Sequence, residues 1–200
     1  MTTSEIVYVV DDDDALRSAL GILLHHSGLN VRLCASADEF LDVYKPSDRN
    51  CLLLDLHMPK ISGIELQKIL VEKGIKIPTI ILTGHGDVPL AVQTIKAGAR
   101  EFIEKPFNEQ ILLETITRVL ADDVPKMPEN LNISLLSKLS KRENEIALLI
   151  YEGKKNKQIA STLGISVRTV ENHRANIMNK LEIDSTSQLI RLFLMRSRLN

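Results

Sequence analysis

No stretch of this 200-residue chain approaches the ~20 uninterrupted apolar residues of a membrane-spanning helix. The opening residues, MTTSEIVYVVDDDD, lack the basic flank and small-residue cleavage site of a secretion signal. A cytoplasmic protein with no membrane partner is expected. Cysteine is scarce, with only Cys34 and Cys51 present. Each sits in an apolar, strand-like run. In a reducing compartment that predicts two small buried hydrophobes rather than a disulfide or a metal pair. No internal repeat and no low-complexity segment is present.

What is present is an ordinary globular composition, 44% hydrophobic and 26% charged. The net charge of −1 hides a division. Residues 1–121 hold 12 Lys+Arg and 17 Asp+Glu, giving −5, whereas residues 122–200 hold 13 and 9, giving +4. An acidic half joined to a basic half predicts two domains with different partners. The basic half is the candidate for nucleic acid.

The acidic half alternates short apolar runs with longer amphipathic ones. Strands are expected at Glu5–Val10, Asn30–Cys34, Asn50–Leu54, Pro78–Leu82 and Glu101–Ile103. CLLLD and PTIILTG are continuous apolar runs, the pattern of parallel strands buried on both faces. Helices are expected between them, roughly at Asp13–Ser27, Ala37–Tyr44, Gly63–Lys73, Val88–Ala97 and Glu109–Leu120, with Ser36 and Asn108 as N-caps. Five consecutive βα units predict a flavodoxin-like five-stranded parallel sheet, an α/β domain over residues 1–121. ADDVPKMPENLN, residues 121–132, breaks the pattern with Pro125 and Pro128. A linker is placed at 122–135. Residues 136–200 then read as an all-α domain of four helices. Asn156 is expected to cap the second helix and Ser166 the third. The turn LGIS joins those two as a helix-turn-helix.

In open parallel sheets, ligands bind beyond the carboxyl ends of the strands. Asp11 and Asp12 follow the first strand and Asp55 the third; Thr83 follows the fourth and Lys105 the fifth. Three carboxylates, a hydroxyl and an ammonium thus converge on one rim. Carboxylates suit Mg²⁺, and a carboxylate flanked by cations can attack phosphorus. Asp13 and Asp14 open the first helix instead, where negative charge suits the helix dipole.

These pieces resemble the receiver domain of a two-component response regulator. The matching segments are VVDD at 9–12, LLLDLHMP at 52–59, TGHGD at 83–87 and FIEKPF at 102–107. The resemblance implies that Asp55 is the phosphoacceptor. It implies that Asp12, Asp55 and the backbone carbonyl of His57 hold Mg²⁺, with Mn²⁺ able to substitute, and that Asp11 holds a metal-bound water. Thr83 and Lys105 would bond the phosphoryl oxygens, and Phe102 would be the aromatic that moves with Thr83. It also implies a cis Lys105–Pro106 bond. His85 reads as a loop residue. Lys60 departs from the pattern, since this turn often carries a glycine or an acid in relatives.

The basic half resembles the LuxR/NarL-type DNA-binding domain, through RENEI, NKQIA, LGIS, RTVENHR and IMNKL. With the receiver in front, the pair is most similar to the FixJ/TodT group of response regulators. By that resemblance Glu171, Asn172 and Ala175 lie toward base edges, Glu171 suiting cytosine and Asn172 adenine. Arg168, Thr169, Arg174 and Lys180 are expected at phosphates. Lys155, Asn156 and Lys157 stand at a helix N-terminus, where free N–H groups favour a phosphate oxygen. The last helix is expected to close the core and to form a two-fold contact.

The implied protein is a transcription factor rather than a turnover enzyme. A sensor histidine kinase phosphorylates Asp55, the chain becomes a homodimer, and promoter DNA is bound, with RNA polymerase a further expected partner. An aspartyl-phosphate hydrolase would need an acid/base partner two residues after Asp55, where His57 stands. A constitutive DNA-binding dimer is the other rival, and the complete set Asp11, Asp12, Asp55, Thr83 and Lys105 argues against it.

Overall fold

A computed structural model describes residues 5–46, 49–84, 88–121 and 135–198. His85 and Asp87, and the expected linker except Leu135, lie outside the described residues. By internal contacts the chain divides into two compact units, residues 1–85 with 97–124, and residues 86–96 with 125–200.

Five parallel strands form one sheet: β1 (Ile6–Val10), β2 (Asn30–Cys34), β3 (Asn50–Asp55), β4 (Thr79–Thr83) and β5 (Glu101–Glu104). Their order is β2-β1-β3-β4-β5. The helices α1 (Asp14–His26), α2 (Ala37–Val43), α3 (Gly63–Glu72), α4 (Val88–Lys96) and α5 (Glu109–Leu120) connect and follow them. This is the expected flavodoxin-like arrangement. β4 begins and ends one residue later than expected, so Thr83 is the last strand residue rather than a loop residue.

Continuous apolar runs became central strands because both faces are covered. Val7, Val9, Cys51, Leu53, Ile80, Leu82 and Ile103 form one buried face with Leu20 and Leu24 of α1 and Leu112, Ile116 and Val119 of α5. Alternate residues point the other way. There Tyr8 meets Phe40 edge-on at 5.3 Å and Tyr44 at 5.6 Å, and its hydroxyl accepts the Lys45 N–H at 3.2 Å. Both cysteines are free and buried. Burial pushes the Cys34 thiol up to about 12 and raises the Cys51 thiol as well, so neither is a thiolate at neutral pH. No helix among the described residues is long and apolar enough to cross a membrane.

The helix starts follow local chemistry. Asp13 is the N-cap of α1 and accepts from the Ala15 and Leu16 N–H groups. Ser36 and Asn108 cap α2 and α5 as expected. Ser62 and Glu65 close a reciprocal capping box on α3.

After residue 140 come α6 (Lys141–Tyr151), α7 (Asn156–Leu163), α8 (Val167–Leu181) and α9 (Thr186–Arg198). Their core gathers Ile146, Ala147 and Ile150 of α6, Ile159 of α7, Val170, Ile177 and Leu181 of α8, and Leu189 and Leu192 of α9. The turn between α7 and α8 works because Gly164 takes a left-handed φ of 65°. Ser166 caps α8. One expected cap is corrected: Lys155, not Asn156, is the N-cap of α7, and Asn156 is its first helical residue. Lys155 has no acceptor to offer, so the Gln158 side chain reaches back to its N–H at 2.9 Å.

Candidate phosphoacceptor site and DNA-facing helix

β1 and β3 are hydrogen-bonded neighbours, with Val10 opposite Leu54. Asp11 therefore emerges beside Asp55, and the tip of β5 delivers Lys105 to both. The Lys105 ammonium donates to Asp55 Oδ1 at 2.6 Å and to Asp11 Oδ2 at 2.9 Å. The other Asp55 oxygen accepts the His57 N–H at 2.9 Å. Asp11 Oδ1 accepts the Asp13 N–H at 2.9 Å, and its carbonyl takes the Arg17 guanidinium at 2.6 Å. Arg17 also pairs with Asp14. The carboxylates of Asp11, Asp12 and Asp55 bring oxygens within 4.8 Å of one another. Asp11 and Asp55 are buried and Asp12 is exposed.

Three carboxylates thus gather at the strand ends, two of them on one ammonium. Burial pushes the Asp55 carboxyl above its ordinary range, against the hydrogen bond and charge of Lys105, which pull it down. Burial opposes the Lys105 charge too, but its carboxylate partners outweigh that and raise its pKa, so it stays protonated. Such a hard-oxygen donor set fits a divalent cation of the Mg²⁺ type.

Thr83 is fully buried, and its hydroxyl has no hydrogen-bond partner among the described residues. A buried polar atom left unmatched is a costly exception that calls for an explanation. Its carbonyl accepts the Lys105 N–H at 2.7 Å. Phe102, half-buried on β5, stands opposite Ile81, two residues before Thr83. The strand period of two puts Phe102 and Thr83 on the same side of the sheet. The Lys105–Pro106 bond is cis. Lys60 has a φ of 65°, a backbone that glycine adopts without penalty.

Two residues at this site escaped the sequence reading. Arg17 clamps the loop that carries Asp11, and nothing in its helical position distinguishes it. Gly63 starts α3 so close to β3 that a Cβ there would lie 2.2 Å from the Asp55 carbonyl oxygen. A lone glycine inside the Ser62-to-Glu65 start of a helix carries no such signal.

On α8, Arg168, Glu171, Asn172 and Ala175 are exposed at i, i+3, i+4 and i+7, one stripe of the helix. Val170, Ile177 and Leu181 are buried. Lys155 and Lys157 are exposed at the start of α7. The Thr169 hydroxyl lies 2.8 Å from that of the cap Ser166. Two residues expected at phosphates also make hydrogen bonds inside the domain. Lys180 donates to Glu143 Oε2 at 2.7 Å, joining the end of α8 to the start of α6. Arg174 donates to Asn156 Oδ1 and Thr186 Oγ1, both at 2.9 Å. Glu143 also accepts the Ser140 N–H at 2.7 Å. Its Ser-x-x-Glu spacing was a readable signal for a capping box.

An acidic pocket at the strand ends of a five-stranded parallel sheet, followed by a helix-turn-helix, defines a response regulator with a receiver and a DNA-binding domain. The comparisons agree: residues 7–117 match the response regulator receiver domain, and residues 137–193 match the luxR family of bacterial regulatory proteins. The chain belongs to the LuxR-type response regulators, among relatives of FixJ and TodT. It is 43% identical over 199 residues to the transcriptional regulatory protein FixJ of Azorhizobium caulinodans, covering 98% of this chain and 94% of that protein. It is 40% identical over 198 residues to the response regulator protein TodT of Pseudomonas putida, covering 94% and 85%. Among solved structures, full-length FixJ from B. japonicum superposes with a TM-score of 0.56 at 38% identity, covering 100% of both chains.

Proposed function

We propose that this response regulator is switched by Mg²⁺-dependent phosphorylation of Asp55 by a sensor histidine kinase, and that the phosphorylated chain dimerises on promoter DNA. One observation supports this most. The Lys105 ammonium holds Asp55 and Asp11 together, and the buried Thr83 hydroxyl at the end of the neighbouring strand has no partner among the described residues. A phosphoryl group on Asp55 brings new acceptor oxygens into that space, which both Lys105 and Thr83 can bond. Asp11, Asp12, Asp55 and the His57 carbonyl would hold Mg²⁺, which when bound neutralises charge on the transferring phosphoryl group.

In the transfer, an Asp55 oxygen forms the new bond to phosphorus as the bond to the donor breaks. Lys105 balances the negative charge that accumulates. Phe102, on the same side of the sheet as Thr83, follows its hydroxyl. The receiver is assigned to residues 1–121 and the DNA-binding domain to 136–200.

For DNA, Arg168 and Thr169 of α8 and Lys155, Asn156 and Lys157 of α7 are assigned to the backbone. Glu171, Asn172 and Ala175 are assigned to base edges. The test is phosphorylation from acetyl phosphate with Mg²⁺, followed by mass spectrometry. Wild type should gain one phosphoryl group and Asp55→Asn none. Normal uptake by Asp55→Asn would reject the acceptor.

A further inference from the structure

Arg174 lies on α8 next to the exposed stripe formed by Arg168, Glu171, Asn172 and Ala175. On sequence grounds it is one more phosphate-binding arginine. Its surroundings differ from those of Arg168. Arg168 is exposed, whereas Arg174 is half-buried. One guanidinium nitrogen donates to Oδ1 of Asn156, the first residue of α7, at 2.9 Å. The other donates to Oγ1 of Thr186, the first residue of α9, at 2.9 Å. The partners stand 18 residues before it and 12 after it. A single planar fork therefore joins the starts of two helices to the middle of a third.

That geometry has a directional consequence. A guanidinium presents its donors in a fixed plane, so two acceptors on it fix the rotation of the arginine stem as well as its reach. A lysine could satisfy either partner but could not fix both in one plane. The α7 start carries Lys155 and Lys157, and α8 carries the exposed stripe. If both meet one duplex, the angle between α7 and α8 decides whether they do so together. Arg174 sits at the junction that determines this angle.

We propose that Arg174 is a positioning residue, which locks α8 to the starts of α7 and α9 and acts on DNA through that orientation rather than through a phosphate. The assignment rests on the DNA-binding reading above. It turns on a distinction that salt can resolve. Each phosphate contact releases counterions and contributes about 0.9 to the slope of log K against log salt. A positioning residue acts on the slope only through the contacts it aligns, so loosening it from either side has the same effect. Thr186 gives an independent handle, because it touches the arginine and is not assigned to DNA.

The experiment uses the full-length protein with acetyl phosphate and Mg²⁺, and a labelled 20-base-pair duplex of arbitrary sequence. Binding is followed by anisotropy across a KCl series. Melting of each variant is recorded, and binding is measured well below the melting range. Arg174→Met and Thr186→Val should each weaken binding roughly tenfold, the scale of a lost hydrogen bond to a charged group. The salt slope should move in step in both, although Thr186→Val removes no charge, because both release the same aligned phosphate contacts. Thr186→Ser, which keeps the hydroxyl, should bind as wild type does. Arg174→Met lowering the slope by about 0.9 while Thr186→Val binds normally would make Arg174 a phosphate contact and overturn the proposal. Variants that melt lower but bind as wild type would overturn it too, leaving a purely structural bond. Failure of the wild type itself to bind the duplex would instead reject the DNA-binding reading beneath it.

Discussion

Lys105 Nζ and Asp55 Oδ1 lie 2.6 Å apart, although 50 residues separate them in the chain. The contact spans the tips of two strands that are not neighbours in the sheet, with β4 between them. It holds the buried Asp55 carboxylate against the ammonium that faces it. Burial and this ammonium act on the Asp55 carboxyl in opposite directions, and their balance sets how the site responds to pH.

Mg²⁺ is expected to raise the melting temperature of the receiver at pH 7.5 and to lose this effect toward pH 4. The folded-state pKa of Asp55 lies above its unfolded value of about 3.8, so the folded state binds the proton more tightly. Stability then falls as pH rises through the raised value, and a bound cation removes that penalty. Calorimetry with and without Mg²⁺ checks this, and Asp55→Asn should show the smaller Mg²⁺ effect at pH 7.5.

Thr83→Val should be neutral or stabilising in the unphosphorylated protein, by up to ~1–2 kcal/mol, because it removes a buried hydroxyl that has no partner among the described residues. The same change should shorten the phosphoryl lifetime. Chemical denaturation and phosphate release separate the two effects. A clear loss of stability in the unphosphorylated state would mean the hydroxyl is already matched.

Gly63→Ala should destabilise the receiver by at least ~2 kcal/mol. The new Cβ would lie 2.2 Å from the Asp55 carbonyl oxygen, a backbone atom that cannot swing aside. Phosphorylation should slow as well, since the acceptor strand must shift. Ala at the exposed Lys68 of the same helix serves as the control that leaves both unchanged.

Lys60→Gly should stabilise the protein by up to ~1 kcal/mol, because a left-handed backbone costs an L-residue about that much. Lys60→Val should destabilise it, as a β-branched residue tolerates positive φ least. Urea midpoints of the two variants against wild type decide the sign.

Glu143→Gln should weaken the DNA-binding domain by ~1–2 kcal/mol at pH 7. The Lys180 ammonium, with the Ser140 N–H, holds the Glu143 carboxyl down at about 2, against an ordinary 4.5. Its contribution is therefore complete above pH 4.5 and lost as pH falls toward 2. Wild type and Glu143→Gln should converge in stability across that window, and parallel acid titrations by circular dichroism test it.

The site was legible where chemistry sits at the ends of local patterns. Asp11, Asp55, Thr83 and Lys105 each stand where an apolar run stops, and a parallel sheet brings such stops to one edge. The strand and helix types were legible for the same reason, since each run carries its own period. What stayed hidden depends on partners far apart in sequence. Asn156 reads as a helix cap by residue type, yet the chain turns at Lys155 and the Asn156 amide serves Arg174, 18 residues on. Lys180 reads as a phosphate contact, and nothing local announces that it also pairs with Glu143, 37 residues back. Gly63 reads as an ordinary helix start, and only the packing of α3 on the end of β3 makes its missing side chain necessary. Local pattern cannot supply these pairings, because folding creates them.

The strand order β2-β1-β3-β4-β5 has one more consequence. The connection leaving β1 runs to one side of the sheet and that leaving β3 to the other, so the chain parts between them. Asp11 and Asp55 flank this topological switch point, where a crevice opens without any loop being shaped to make it. The opposite rim, where β3 begins at Asn50, lies at the other end of the strands and takes no part in the crevice. A peptide tag or a fluorescent reporter inserted there would leave the acidic rim as it stands. That makes the far rim the practical place from which to observe this switch.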